Sequence, residues 1–235
     1  MDPDTTDRLQ HVIENRHSSR APFDPAWHVT EDELGRIVDA ARWAPTAHNM
    51  QNFRLVAVDD AHVLAELGRI RSPVSPEFIV ENYAQLSFSP EELERRGTGI
   101  LGTMFPRSWW TADPGQAPHN VARLLGETIA GAPLVIVVVY DPTRRAPASE
   151  RDQLGMISLG CVMENMWLAA QAEHLDVQVV SAFAADGAED DVKRVLGVPA
   201  PWRVAFAMRF GHAIAKGMPH RVRRHLEAVV GRNHF

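Results

Sequence analysis

The sequence predicts one mixed domain of helices and strands, and three observations predict it. The continuous β-branched run from Leu134 to Tyr140 has the length and composition of a strand buried on both faces. Segments on either side of it place apolar residues three and four apart, the mark of amphipathic helices. The chain has 235 residues with an apolar share of 45%, enough for one full core rather than several modules.

Composition narrows the function classes. A formal charge of -6 argues against a nucleic-acid platform, although basic residues do gather near the C-terminus. The single cysteine, Cys161, allows no intrachain disulfide and suits a reducing cytoplasm. The start, MDPDTTDR, has no basic and apolar leader pattern. The longest apolar run is far shorter than the roughly 20 residues a membrane helix needs. The expectation is a cytoplasmic protein that binds neither membrane nor nucleic acid. There is no fixed-period repeat and no low-complexity tract.

In chain order, the first helix is expected over about Thr5 to Arg16, with Leu9, Val12 and Ile13 on one face. Thr30 and Glu33 make a capping box for a second helix carrying Leu34, Ile37, Val38 and Ala41, which Pro45 ends. Phe53 to Val58 reads as a strand and Ala61 to Arg69 as a helix. Ser149 to His174 is the longest helical pattern. Its small and soft residues fit close packing against another helix, from this chain or a second subunit, or an ordinary core. Val177 to Ala182 and Trp202 to Phe210 are further strand candidates, and Glu189 to Leu196 a short helix. The segment from about Ser72 to Asn120 differs: apart from Pro90 to Arg96 it offers no long regular element. It carries several aromatic residues, and such excursions often serve as lids.

Several motifs lead nowhere. Gly97, Gly99 and Gly102 spell G-x-G-x-x-G, but a charged helical run precedes them where a dinucleotide fingerprint needs a strand. The eleven histidines show no metal-ligand spacing, so no metal is expected. No G-x-S-x-G elbow is present, and Cys161 sits in an apolar helix where an inert thiol is the simpler reading.

Three segments carry the chemistry. In Arg16-His17-Ser18-Ser19-Arg20, alternate residues Arg16, Ser18 and Arg20 face one way if the chain is extended, which suits a phosphate monoester. A solvated basic patch is the alternative. In Pro45-Thr46-Ala47-His48-Asn49-Met50-Gln51, the amides of Asn49 and Gln51 alternate and could read a heteroaromatic edge, or simply serve a turn. Near the C-terminus, Arg221 and Arg223 repeat the alternation. They could complete a phosphate site or stay solvated.

In their order and spacing, these segments resemble the nitroreductase family. Support comes from the Ala41-Arg42-Trp43-Ala44-Pro45 helix end, the Ala132-Pro133 entry to the apolar strand, the long helix before Leu175, and the Leu196-Gly197-Val198-Pro199 turn. The resemblance covers most of the chain except about 72–120. It implies an α+β fold with a central mixed or antiparallel sheet flanked by helices, one domain over 1–235, and an intertwined homodimer with FMN at the interface. It implies that Arg16, His17, Ser18 and Arg20 hold phosphate and ribityl, with Arg20 reaching the pyrimidine edge. Pro45, Thr46, Ala47, Asn49 and Gln51 would contact flavin from the other subunit. Ser181 and Ala182 would line one flavin face by backbone, and Arg221 and Arg223 would complete the phosphate site.

The implied activity passes reducing equivalents from NAD(P)H through FMN to a nitroaromatic, quinone or activated alkene. No protein residue need act as acid, base or nucleophile, because the cofactor carries that step. Tyr83, Phe105, Trp109 and Trp110 are candidates for an aromatic lid or for that segment's own core. Four positions depart from the family pattern: His174 for glycine, Thr46 for serine, and Asn52-Phe53 for Pro-Trp. A specialised relative (a biosynthetic dehydrogenase, reductive dehalogenase or flavin-fragmenting enzyme) and a non-catalytic FMN store are the competing expectations.

Overall fold

In the computed structural model, the described residues are 3–72, 74–85, 89–97, 115–215 and 222–234. They fall into two compact units: Met1–Pro73 with Leu124–Ala215, and Val74–Arg123 with Lys216–Phe235.

The first unit is built on a four-stranded antiparallel sheet of β1 (Phe53–Val58), β2 (Leu134–Tyr140), β3 (Asp176–Val180) and β4 (Arg203–Gly211). The spatial order is β1-β2-β4-β3. Alternation sorts β2 side chains onto two faces. Leu134, Ile136 and Val138 pack with Ile37 and Ala41 of α2 (Glu31–Arg42) and Val162 and Met166 of α7 (Gln153–Ala172). Val135, Val137 and Val139 pack instead with Leu64 and Leu67 of α3 (Ala61–Arg69), Ile129 of α6 (Ala117–Ala130) and Val192 of α8 (Glu189–Leu196). Two apolar layers explain why β2 reads as an unbroken apolar run although its partners are antiparallel. Each fully buried aliphatic side chain contributes roughly 1.5–3 kcal/mol.

Local chemistry sets the boundaries. Thr30 Oγ1 accepts from the Glu33 N–H at 3.2 Å, and the Glu33 carboxylate accepts from the Thr30 N–H at 2.8 Å. The capping box therefore forms as the sequence predicts. The first helix, α1 (Pro3–Asn15), leaves Leu9 and Ile13 exposed, so this chain leaves its apolar face largely uncovered. The long helix starts four residues later than expected. Ala148, Arg151 and Asp152 have positive φ, and the Ser149 hydroxyl accepts from the Leu154 N–H at 3.3 Å. At its far end His174 takes φ +61°, while the Leu175 N–H reaches back to the Ala170 carbonyl at 2.9 Å. That turn needs a left-handed residue, which glycine supplies without strain; here histidine does it. Strand β3 stops at Val180, so Ser181 leads into a short 3₁₀ turn, Ala182–Ala184, instead of continuing the strand.

Helices α3 and α6 meet through glycine. A Cβ on Gly126 would stand 2.2 Å from the Gly68 carbonyl oxygen, and one on Gly68 would stand 2.7 Å from the Ala130 Cβ. Neither α6 nor α4 (Pro76–Gln85) was expected from the sequence. Yet α4 has ordinary start signals: the Ser75 hydroxyl accepts from the Phe78 N–H at 3.1 Å, ahead of Pro76 and Glu77.

In the second unit, α5 (Pro90–Arg96) starts at the Ser89 cap and ends at Gly97, whose φ is +62°. Its Cβ would lie 2.9 Å from the Arg224 Cα, so the C-terminal segment crosses directly over the end of α5. Gly97 is therefore a helix stop and not the first glycine of a dinucleotide loop; Gly99 and Gly102 lie outside the described residues. Among the described residues, no helix is long and apolar enough to cross a membrane.

Candidate functional site

After α1 the chain extends along the outer edge of β3. Ser18 pairs with Val177 in a parallel bridge, and the Ser19 N–H donates to the Val177 carbonyl at 2.8 Å. The segment therefore runs in the same sense as β3, toward Ser181. From Val177 to Ser181 is about 13 Å at strand rise.

Around this edge the expected side chains separate. Arg16 turns back onto α7: its guanidinium lies 4.5 Å from the centre of the Trp167 ring, and its Nε is 3.1 Å from Glu164 Oε1. That contact is off-axis, and the buried Nε–H has no hydrogen-bond acceptor among the described residues. The His17 carbonyl accepts from Trp167 Nε1 at 3.2 Å, and its ring Nε2 is 3.6 Å from Asp176 Oδ1. Ser18 is half-buried and Ser19 is buried. Arg20 is exposed and has no carboxylate partner among the described residues. Neighbouring protein desolvates its guanidinium and lowers its pKa from the ordinary arginine value. It is the cation of this segment that can meet an anion without first breaking an ion pair.

Arg209, on β4 opposite Gln178, is the residue that sequence reasoning missed. It is 1% exposed. Its Nε donates to Gln178 Oε1 at 2.6 Å, and Nη2 donates to the carbonyls of Ala21 at 2.7 Å and Ser19 at 3.3 Å. The Phe23 ring lies 4.0 Å from its guanidinium, resting where a Cβ on Gly211 would stand. Burial pulls its pKa down to about 10, with Asp176 opposing, so it remains charged at neutral pH. The available signal was a lone arginine in the apolar stretch Ala205-Phe206-Ala207-Met208-Arg209-Phe210.

The amide segment follows α2. The Ala47 N–H donates to Ser158 Oγ on α7 at 2.9 Å, which fixes the loop's start. His48, Asn49 and Gln51 all have positive φ, although none is glycine. Each costs free energy, and such clusters mark sites where geometry serves function. Thr46 Oγ1 accepts from the Gln51 N–H at 3.2 Å, and Gln51 Nε2 donates to Asn49 Oδ1 at 2.8 Å. The two amides are thus locked together, which leaves Asn49 Nδ2 and Gln51 Oε1 facing outward chemistry as donor and acceptor. Pro45 and Asn49 are exposed, and Thr46 and Ala47 are half-buried. The loop's far end is held by buried Asn52, whose carbonyl accepts from the Asp141 N–H at 2.8 Å.

Ser181 and Ala182 stand at the end of β3, exposed and half-buried respectively. In the second unit, Arg223 is exposed and donates to its neighbour's carbonyl, that of Val222, at 2.8 Å. Arg221, Phe105, Trp109 and Trp110 lie outside the described residues; Tyr83 is on α4, and its side chain is likewise outside them. On α7, Leu154, Met156 and Ile157 are exposed, and Trp43 after α2 is 72% exposed.

The chain matches known proteins along most of its length. A family model described as Nitroreductase family matches residues 13–212. A nitroreductase from Desulfovibrio desulfuricans, solved in complex with FMN and named only provisionally, is 18% identical; the match covers 100% of this chain and 99% of that one at a TM-score of 0.63. An FMN-dependent nitroreductase from Clostridium difficile is 17% identical over 95% and 98% of the two chains, at 0.59. An FMN- and NADPH-dependent nitroreductase derived from Sphigopyxis sp. strain HMH is 17% identical over 97% and 99%, at 0.61. At these identities the structural matches establish the fold.

Proposed function

The chain belongs to the nitroreductase family, and from that premise we propose that it is an FMN-dependent oxidoreductase passing reducing equivalents from NAD(P)H to a small organic acceptor. The observation that carries this reading is the parallel pairing of Ser18 with Val177. It lays a cationic segment along the sheet edge and points it toward Ser181–Ala182, which suits an elongated ligand with phosphate at one end and a ring at the other.

The residues present fit FMN. Among the described residues Arg20 has no carboxylate partner, and the Arg16 Nε–H, although beside Glu164, has no hydrogen-bond acceptor. Ser18 adds a hydroxyl, and His17 closes the segment. Pro45, Thr46, Ala47, Asn49 and Gln51 form a rigid loop whose outward amide donor and acceptor suit a pyrimidine edge. FMN, held by these residues, would supply hydride-transfer chemistry between NAD(P)H and a nitroaromatic, quinone or activated alkene. The chain's own groups bind, orient and shield. Arg20 also favours negative charge at the ring edge by simple pairing.

The active unit is a homodimer in this reading. Leu154, Met156 and Ile157 on α7 and Leu9 and Ile13 on α1 remain exposed apolar surface that a second copy would cover, bringing the amide loop of one subunit to the phosphate segment of the other. Titration of FMN into the apoprotein, followed by flavin fluorescence, tests the binding half. Saturation at one FMN per chain is expected; absence of uptake refutes it.

A further inference from the structure

We propose that Arg209 is the positioning residue of the Ser18–Arg20 segment, a buried guanidinium that sets the path of the phosphate-binding chain from behind. This rests on the reading that the segment holds FMN. It adds a residue that touches neither cofactor nor substrate.

The geometry is that of a clamp. Backbone pairing with β3 ends at Ser19, whose N–H meets the Val177 carbonyl. The next backbone contact comes at Pro22 to Asp24, on the chain just beyond β4, where the Ile214 N–H donates to the Pro22 carbonyl at 3.0 Å and the Asp24 N–H to the His212 carbonyl at 2.8 Å. Between those two anchors, Arg209 Nη2 holds the carbonyls of Ser19 and Ala21, one on each side of Arg20. With Ser19 O held toward the sheet, the trans peptide turns the Arg20 N–H the opposite way. Gln178 fixes Nε and Phe23 covers the guanidinium face, so the fork cannot re-aim. A buried arginine left without a direct carboxylate is costly unless its donors are used. Here hydrogen bonds use three of its five N–H donors, and two of the three go to the carbonyls that flank Arg20. Lysine, a point charge without a planar fork, cannot reproduce this pattern.

The test uses full-length Arg209→Met and Arg209→Lys, with Gln178→Ala as a milder variant that keeps the guanidinium and removes one anchor. Amide hydrogen exchange of the apoprotein reads the clamp independently of any flavin, and fluorescence titration reads FMN affinity. In Arg209→Met, exchange should quicken over residues 18–21 while β2 and β4 keep their protection, and the FMN Kd should rise about tenfold or more, the equivalent of about 1.4 kcal/mol. Arg209→Lys should fail to restore either, and Gln178→Ala should raise Kd about threefold. If Arg209→Met does not fold, Gln178→Ala decides. Unchanged exchange over 18–21, unchanged FMN affinity in a folded variant, or full rescue by lysine overturns the proposal. If wild-type protein takes up no FMN but the exchange result holds, the FMN reading fails while the clamp stands.

Discussion

Arg20 and Arg16 show how identical side chains take different work from their surroundings. Arg16 is engaged by Glu164 and Trp167, whereas Arg20 has no carboxylate partner among the described residues. Replacing Arg20 by alanine should therefore cost little stability, shifting Tm by no more than about 2 °C, while removing a charge-assisted contact worth roughly 1.5–3 kcal/mol to an anion. FMN affinity should fall about ten- to hundredfold in a fluorescence titration; an unchanged Kd would remove Arg20 from the site. The extended backbone at Ser18 was legible in the sequence. The turn of Arg16 onto α7 was not, because it depends on Trp167 and Glu164, both far away in the chain. Arg209 was hidden for the same reason: two of its three acceptors are the backbone carbonyls of Ser19 and Ala21, far away in the chain, which no side-chain pattern records.

Among the elements, α2 was the most legible, because its start is written in four consecutive residues. Its capping box also titrates. Hydrogen bonds from the Thr30 backbone and side chain hold the Glu33 carboxyl below its ordinary 4.5. A carboxylate with a depressed folded pKa contributes stability above its unfolded value, and loses it as pH falls through the folded one. Thr30→Ala should cost about 1 kcal/mol at neutral pH. The difference from wild type should shrink on acidification below 4.5. Urea melts at pH 7 and pH 3 check this, and a pH-independent gap would contradict it. Two helices escaped notice for identifiable reasons. Helix α4 begins at Ser75-Pro76-Glu77, a good start signal inside a stretch whose Pro and Gly content reads as loop. Helix α6 carries Gly126 in its interior, a residue of low helix propensity. Gly126 is there because the Gly68 carbonyl occupies the place of its side chain, a fact about a neighbour rather than about the segment.

For the whole molecule, the sheet was nearly complete in the sequence, since both faces of β2 are written in one apolar run and each flanking strand carries its own pattern. What sequence could not order was β1-β2-β4-β3, which follows from pairings across long separations. The uncovered apolar faces of α1 and α7 bear on assembly. Ile157, 55% exposed, is placed at the centre of the proposed dimer, and Ile157→Asp would bury an unpaired charge there. Sedimentation should show wild type at about twice the 26.1 kDa chain mass and the variant at one chain, with FMN lost in parallel. A monomeric wild type that still binds FMN would contradict the shared site. The central claim is tested most directly by the visible absorption spectrum of the FMN-loaded protein during anaerobic addition of NADH or NADPH. The account predicts a yellow protein that bleaches and recovers its colour when a quinone or nitroaromatic is added. A flavin that stays oxidised with both nicotinamides would contradict it.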